Sequence, residues 1–190
     1  FPLESIVVKS SPIVVDLDAD GYKEIYFGSD NNMLHGYNSF GEELVGFPFQ
    51  STDRIRSSPA IGDVDNDGQM EIVFGNSSGK LYIINQDGSQ QLAYTQLGFV
   101  EGAPALVDID GDQDLEIIFT TTTGSGGQVY VIHHNGVTES GFPKEIGSMF
   151  AGPAVHDLDN DGVVEVVCVT YDKEIYAIEA IGGAIKSGFP

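Results

Sequence analysis

Short apolar runs alternate with polar turns along the whole chain, and the pattern repeats about every 47 residues. Each unit has a proline, a short apolar run, an aspartate-rich segment and then two runs rich in β-branched and aromatic residues. The first of these two runs lies at residues 25–27, 72–74, 117–119 and 166–168, and the second at residues 34–37, 81–84, 129–132 and 175–178. No segment keeps a helical period for more than a turn, so the pattern predicts strands throughout.

A glycine turn and a further strand-like segment complete each unit, at residues 44–48, 92–95, 141–143 and 188–190. Four short strands per period are typical of a β-propeller blade. We therefore predict an all-β fold, a single β-propeller domain over residues 1–190 built from four four-stranded blades of about 47 residues. The predicted repeats are residues 11–57, 58–102, 103–151 and 152–190, with residues 1–10 completing the ring. The sequence leaves open a closed four-blade ring or part of a larger propeller.

Acidic residues dominate the charge of the chain, with 29 Asp and Glu against 8 Lys and Arg and a formal net charge of −21. This balance excludes nucleic acid as a partner, because phosphate backbones are bound by clustered basic residues. Apolar runs are strand-sized and fall far short of the roughly 20 residues of a membrane helix, so no membrane insertion is expected. Hydrophobic residues make up 41% of the chain, which is enough for a packed core.

Every unit contains one nine-residue acidic segment with carboxylates at positions 1, 3, 5 and 9. We call these segments loops 1 to 4, at residues 16–24, 63–71, 108–116 and 157–165. Like charges this close repel strongly, and a ligand set made only of oxygen atoms favours calcium over zinc or copper. An EF-hand is excluded because its position 12 requires a glutamate, whereas position 12 here is Phe or Cys.

We predict about four calcium ions, one per loop, held by the side chains at positions 1, 3, 5 and 9 and by the backbone carbonyl at position 7. The predicted ligands are Asp16, Asp18, Asp20, Tyr22, Glu24, Asp63, Asp65, Asp67, Gln69, Glu71, Asp108, Asp110, Asp112, Asp114, Glu116, Asp157, Asp159, Asp161, Val163 and Glu165. In loop 3, Gln113 replaces the position 6 glycine that makes the tight turn. A left-handed backbone costs a non-glycine residue roughly 1 kcal/mol, so we expect the third site to be the weakest.

The motif Asp-x-Asp-x-Asp-Gly-x-x-Glu, followed by Phe27-Gly28 or Phe74-Gly75 and later by Gly79-Lys80-Leu81-Tyr82, resembles the FG-GAP/VCBS repeats. These are the calcium-binding blades of integrin α-subunit propellers and of many secreted bacterial proteins. The resemblance covers essentially all 190 residues, and the Phe-Pro segments resemble the bacterial members more. It implies a secreted or cell-surface protein.

No Ser/His/Asp, Cys/His or phosphate-binding arrangement is suggested by local spacing, so we expect no catalytic residues and no enzyme activity. The expected function is a calcium-binding extracellular scaffold of adhesion type, which contacts an unidentified protein or carbohydrate and can self-associate to complete a larger propeller. One alternative is an accessory or partial domain of a secreted enzyme such as a polysaccharide lyase, with Arg54 and Arg56 as the candidate basic pair. Another alternative is a lectin. Residues 120–127 are expected to form a flexible polar insertion or a recognition loop.

Overall fold

The computed structural model describes residues 6–190, in which 15 strands form four antiparallel sheets. Sheet 1 contains β1 (Ile13–Val15), β2 (Glu24–Gly28), β3 (Met33–Tyr37) and β4 (Phe49–Gln50). Sheet 2 contains β5 (Ala60–Gly62), β6 (Glu71–Gly75), β7 (Lys80–Ile84) and β8 (Gln90–Thr95). Sheet 3 contains β9 (Ala105–Val107), β10 (Glu116–Thr123), β11 (Gly126–Ile132) and β12 (Lys144–Glu145). Sheet 4 contains β13 (Ala154–His156), β14 (Glu165–Val169) and β15 (Ile175–Glu179).

Strands follow one another in chain order within every sheet, so each sheet is a meander of hairpins. The second and third strands pair β-branched and aromatic residues across the hairpin, for example Ile72 with Ile84 and Phe74 with Tyr82. Such cross-strand pairs stabilise an antiparallel ladder. Each acidic loop connects the first strand of its sheet to the second, and the glutamate at position 9 is the first residue of that second strand.

The core consists of three apolar clusters, each shared by two successive sheets. Tyr26 and Leu34 of sheet 1 pack with Ile72 and Phe74 of sheet 2. Val73 and Leu81 on the other face of sheet 2 pack with Ile117 and Phe119 of sheet 3. Ile118 and Val129 of sheet 3 pack with Val166 and Cys168 of sheet 4. Because successive side chains of a strand point to opposite faces, sheets 2 and 3 are covered on both sides.

A glycine at the end of the second strand lets the next inter-sheet linker pack close to sheets 1 and 2. A Cβ atom at Gly28 would overlap the side chain of Ile55, and one at Gly75 would overlap Val100. Ile55 and Val100 are both fully buried. Phe74, which precedes Gly75, is fully buried in the cluster between sheets 1 and 2, so this Phe-Gly pair combines a core aromatic ring with a close backbone contact.

The last strand differs from the predicted segments except in the second unit, where residues 92–95 lie within β8. In sheets 1 and 3 the Gly-Phe-Pro segment is a turn, and the fourth strand comes after it, at β4 and β12. The same segment in the fourth unit ends at Pro190, and the described part of sheet 4 has three strands. The predictions of strands at residues 44–48, 141–143 and 188–190 were therefore wrong, because the Gly-Phe-Pro segment forms a turn rather than a strand.

Two further sequence predictions concern the segment expected to complete the ring and the insertion at residues 120–127. Residues 1–5 of the predicted closing segment lie outside the described residues, and the carbonyl of Val7 accepts a hydrogen bond from the Asp30 amide of sheet 1. Residues 120–127 are an extension of the β10–β11 hairpin, paired as far as Thr123 and Gly126. Thr120 and Thr121 are buried, so the expectation of a flexible insertion was wrong.

No helix that could cross a bilayer occurs among residues 6–190.

Candidate metal centres

The position 9 glutamate anchors every acidic loop in the same way. Its Oε2 atom accepts a hydrogen bond from the backbone N–H of position 2, at 2.8 Å in loops 1 and 4 and 2.9 Å in loops 2 and 3. These glutamates are between 0% and 4% exposed, although they lie among exposed aspartates. The buried glutamates are Glu24, Glu71, Glu116 and Glu165. Each loop is therefore folded around a carboxylate whose second oxygen faces the other acidic side chains.

The aspartate at position 5 closes a turn by accepting a hydrogen bond from the N–H of position 7, at 2.7 to 3.1 Å in the four loops. Positions 4 and 6 both have positive φ in every loop. Position 6 is Gly in three loops, but in loop 3 it is Gln113 with φ of 82°, while Gly111 stands at position 4. Alignment of the four loops in the sequence therefore correctly identified Gln113 as the residue of loop 3 with a strained backbone.

Burial, with a smaller contribution from neighbouring aspartates, raises the pKa of Glu24, Glu71 and Glu116. Burial, followed by the charges of Asp65, Asp67 and Asp63, raises the pKa of Glu71 to about 7. Burial also raises the pKa of Glu116 to about 7, and that of Glu24 in the same direction. The neighbouring aspartates add to the effect of burial, and a bound cation would favour the charged form of these glutamates.

Loops 1 and 2 bring carboxylate oxygens close enough together to contact one cation. Asp16, Asp18 and Glu24 each place one oxygen within 4.8 Å of the others, and Asp63, Asp65 and Glu71 do the same. In loop 1, the Oδ1 atom of Asp16 is buried without a hydrogen-bond partner. The acidic side chains of these two loops therefore fit a hard cation with oxygen ligands.

Loop 3 has two imidazoles beside its carboxylates. His133 Nδ1 lies 2.9 Å from Glu116 Oε1, and His134 Nδ1 lies 2.8 Å from Asp114 Oδ2. Burial lowers the pKa of His133, but the carboxylates of Glu116 and Glu139 outweigh it, so the net shift of the pKa is upward. Asp110, Glu116 and His133 also form a cluster with metal-binding spacing. Loop 3 also has carboxylate groups like those of loops 1 and 2, namely Asp108, Asp110 and Asp112, and Asp112, Asp114 and Glu116, so its oxygen ligands lie beside two nitrogen donors.

Loop 4 has a lysine among its carboxylates. The Nζ atom of Lys186 lies 2.6 Å from Glu165 Oε1, 2.8 Å from Asp159 Oδ2 and 3.4 Å from Asp161 Oδ2. Asp157 is engaged differently, since its Oδ2 accepts a hydrogen bond from the amide of Gly162. Loop 4 is therefore the loop in which positions 3, 5 and 9 already have a positively charged partner.

The position 7 side chains do not share one environment. Tyr22 is 58% exposed and packs on Phe40, with ring centroids 5.9 Å apart. The side chain of Gln69 donates to Asp67 Oδ2 and accepts from Gln86, and Val163 is half-buried. A backbone carbonyl is present whatever the side chain, and the ligand role of position 7 stays a prediction.

Sequence reasoning missed His133, His134 and Lys186 as neighbours of the loops. All three lie on strands or turns far from the loop in sequence, and antiparallel pairing brings them back to it. A usable signal existed for Lys186, because it is one of only 8 basic residues in the chain. It stands two positions before a Gly-Phe-Pro segment, where the first and third repeats have Leu44 and Glu139.

The profile of the FG-GAP-like repeat matches residues 16–74, 63–119 and 108–168. Each match runs from one acidic loop into the strands of the next unit, and together the matches span most of the chain. This chain belongs to the FG-GAP repeat family. No curated protein sequence matches it.

Solved structures similar to this FG-GAP protein share its fold at low sequence identity. BBS1N, crystallised in complex with ARL6DN, has a TM-score of 0.66 at 12% identity, covering 95% of this chain and 56% of that one. The C-terminal domain of Pseudomonas aeruginosa PilY1 has a TM-score of 0.62 at 14% identity, over 84% of this chain and 38% of that one. BamB from Moraxella catarrhalis has a TM-score of 0.57 at 20% identity, over 93% and 49%. The FG-GAP chain therefore has a β-propeller-like fold and spans about half or less of these solved chains.

Proposed function

We propose that this protein is a calcium-stabilised, non-catalytic β-propeller module that works outside the cell as an interaction scaffold. The observation that carries the proposal is the recurrence of a buried glutamate, anchored by a backbone amide, behind exposed aspartates in each loop. Burial, with a smaller contribution from the neighbouring aspartates, raises the pKa of Glu71 and Glu116 to about 7, and divalent binding would favour their charged forms. Extracellular modules bind calcium with Kd on the order of 10⁻⁴ to 10⁻³ M, so such sites suit a calcium-rich exterior.

A protein partner is the occupant we propose for the scaffold. The similar structure BBS1N was crystallised with ARL6DN, which shows that a related fold can bind a protein. A polysaccharide lyase would need free basic residues to bind acidic sugars. Arg56, one of the two candidates for that role, is instead hydrogen-bonded to Asp30 at 2.8 and 3.1 Å and lies 3.6 Å from Glu101. This arrangement supports a structural role for Arg56 between sheets 1 and 2.

We also propose that another blade of the same type covers the outer face of sheet 4. Ile175 on this face is 50% exposed, and its neighbour Val169 is 57% exposed. The residues at the position of Ile175 in the other sheets are Leu34, Leu81 and Val129, and all three are fully buried against the following sheet. The outer face of sheet 4 thus has the apolar character of an inter-sheet contact without the covering sheet among the described residues.

A thermal melt in EDTA and across a calcium titration tests the proposed function. With at least two sites occupied at ten times Kd, mass action adds about 1.4 kcal/mol per site, and Tm rises by roughly 5–10 °C. Asp63→Asn in loop 2 should reduce this gain. Asp87→Asn, in the exposed turn between β7 and β8, should leave it unchanged. A Tm that does not respond to calcium would refute the proposal.

A further inference from the structure

The lysine in loop 4 occupies the point on which the loop carboxylates converge. Its ammonium contacts one oxygen each from positions 3, 5 and 9, at 2.6 to 3.4 Å. An ammonium has three N–H donors and no acceptor, so one donor is available for each carboxylate. The Lys186 side chain is 16% exposed and Glu165 is fully buried. This is an enclosed contact and differs from a surface ion pair between two mobile side chains.

Backbone hydrogen bonds place Lys186 at a fixed position of the repeat. Its N–H donates to the carbonyl of Ala177, as Leu44 donates to Gly36 in sheet 1 and Glu139 to Val131 in sheet 3. Sheet 1 therefore has an apolar side chain at this position, and sheet 3 has an acid that pairs with His133. Of these three matched positions, Lys186 alone supplies a permanent positive charge to its own acidic loop.

A calcium ion and this ammonium need the same oxygens. Calcium binds oxygen ligands at 2.3–2.6 Å, a distance at which it would share Glu165 Oε1 with the Lys186 ammonium. Two cations on one carboxylate oxygen repel each other, so one has to leave. A lysine ammonium beside carboxylates is charged throughout the physiological pH range.

We propose that Lys186 is a built-in counterion that takes the metal position of loop 4, so that this loop binds no calcium and calcium binding is confined to the other loops. This inference rests on the proposed function, because it takes the other loops to be calcium sites. It lowers the number of ions below the four that the repeats alone predict. It also makes sheet 4 the sheet whose acidic loop is stable without metal.

Lys186→Met tests the proposal, because methionine keeps the length and apolar stem of lysine but has no charge. Equilibrium dialysis with calcium alone should show one more bound ion per chain in Lys186→Met than in the wild type. In EDTA the variant should melt at a lower temperature than the wild type, and saturating calcium should remove that difference. The matched control is Lys173→Met, which deletes an exposed lysine in the turn between β14 and β15 of the same sheet. It should bind as many ions as the wild type.

Acylation of the wild-type protein gives a second test that does not require a stable variant. In EDTA, Lys186 should react slowly with a reagent that acylates amines. Saturating calcium should not change the rate at which Lys186 is acylated, as measured by mass spectrometry. A rate that increases with calcium would mean that the metal displaces the lysine, and equal ion counts in the wild type and Lys186→Met would also overturn the proposal. If no variant binds calcium, the proposed function fails, and the counterion role of Lys186 is then decided by the EDTA melt and the acylation rate in EDTA.

Discussion

At the scale of single residues, loop 3 shows how a substitution in the motif changes the loop while its turn is kept. Loops 1, 2 and 4 have Gly at position 6 with φ between 89° and 92°, and Gln113 adopts φ of 82° at the same position. The backbone path is therefore set by the hydrogen bonds of the loop, which force a non-glycine residue into a left-handed conformation. The sequence showed this departure directly because four aligned copies of the loop were available.

Replacing Gln113 by Gly should stabilise the protein by roughly 1 kcal/mol, because the left-handed conformation no longer strains a side chain. Calcium should also bind loop 3 more tightly, since less strain accompanies the ordered loop. Urea unfolding in EDTA and in calcium measures both effects. Gln50→Gly in strand β4 is the control and should be destabilising. A neutral or unfavourable Gln113→Gly would show that the turn carries no strain.

At the scale of the strands, the Phe-Gly pair fixes how closely successive sheets approach. Gly75 ends β6, where its missing Cβ leaves room for the side chain of Val100 in the linker to sheet 3. The corresponding position in sheet 3 is Thr120, whose hydroxyl donates to the carbonyl of Ala151. The linker can therefore pack against the end of the second strand in two ways. The strand residue is either glycine, which leaves room for a linker side chain, or a residue whose side chain hydrogen-bonds to the linker backbone.

Gly75→Ala should destabilise the protein by about 1–3 kcal/mol, because the new methyl group overlaps Val100 and the backbone of the linker. Gly124→Ala is the matched control. Gly124 has no atom within 4 Å of an added Cβ, and its φ is not positive, so its replacement should change the free energy of unfolding little. Denaturant unfolding compares the two variants. Equal stability of Gly75→Ala and the wild type would mean that the linker shifts without cost.

The second and third strands of each sheet were predictable because period-two alternation and β-branched residues coincide in them. Residues 72–74 and 81–84, for example, fall within β6 and β7. The predicted segment 92–95 lies within the fourth strand β8. The other two fourth strands were not predictable from hydrophobicity, since β4 and β12 are two residues long and contain Gln50, Lys144 and Glu145. Their positions depend on pairing with the third strand, which is a long-range contact.

The same limit applies to the candidate sites. Their carboxylates lie within nine residues of each other, so spacing alone located them in sequence. Lys186 is 21 residues beyond Glu165, and the two meet only because the chain returns along sheet 4. Counterions of this kind follow from tertiary structure, whereas the anionic ligands follow from the local motif.

At the scale of the whole molecule, the two outermost sheets differ from the inner pair in exposure. Ile72 and Ile117 are fully buried, and Ile25 at the same position of sheet 1 is only half-buried. On the opposite side, Ile175 of sheet 4 is 50% exposed. The described residues thus leave apolar surface at both ends of the series of sheets, as expected for part of a larger propeller.

The protein should therefore self-associate through the outer face of sheet 4, because water-exposed apolar area at Ile175 and Val169 favours contact with another sheet. Sedimentation equilibrium should show a concentration-dependent increase in mass for the wild type. Ile175→Lys should remain monomeric with an unchanged Tm, since its side chain is half exposed in the single chain. Val45→Lys, at a residue that is 94% exposed in the turn between β3 and β4, should associate like the wild type. A wild type that stays monomeric would argue against this contact.

Each of the three apolar clusters joins only two successive sheets. The free energy of unfolding is therefore approximately a sum over the sheets and the contacts between neighbouring sheets. Losing an outer sheet removes one cluster, whereas losing an inner sheet removes two. Hydrogen exchange should accordingly be slowest in sheets 2 and 3 and faster towards the outside. Over evolutionary time the same nearest-neighbour rule lets a gene gain or lose whole units by duplication or deletion, because an added unit needs to match only the sheet next to it.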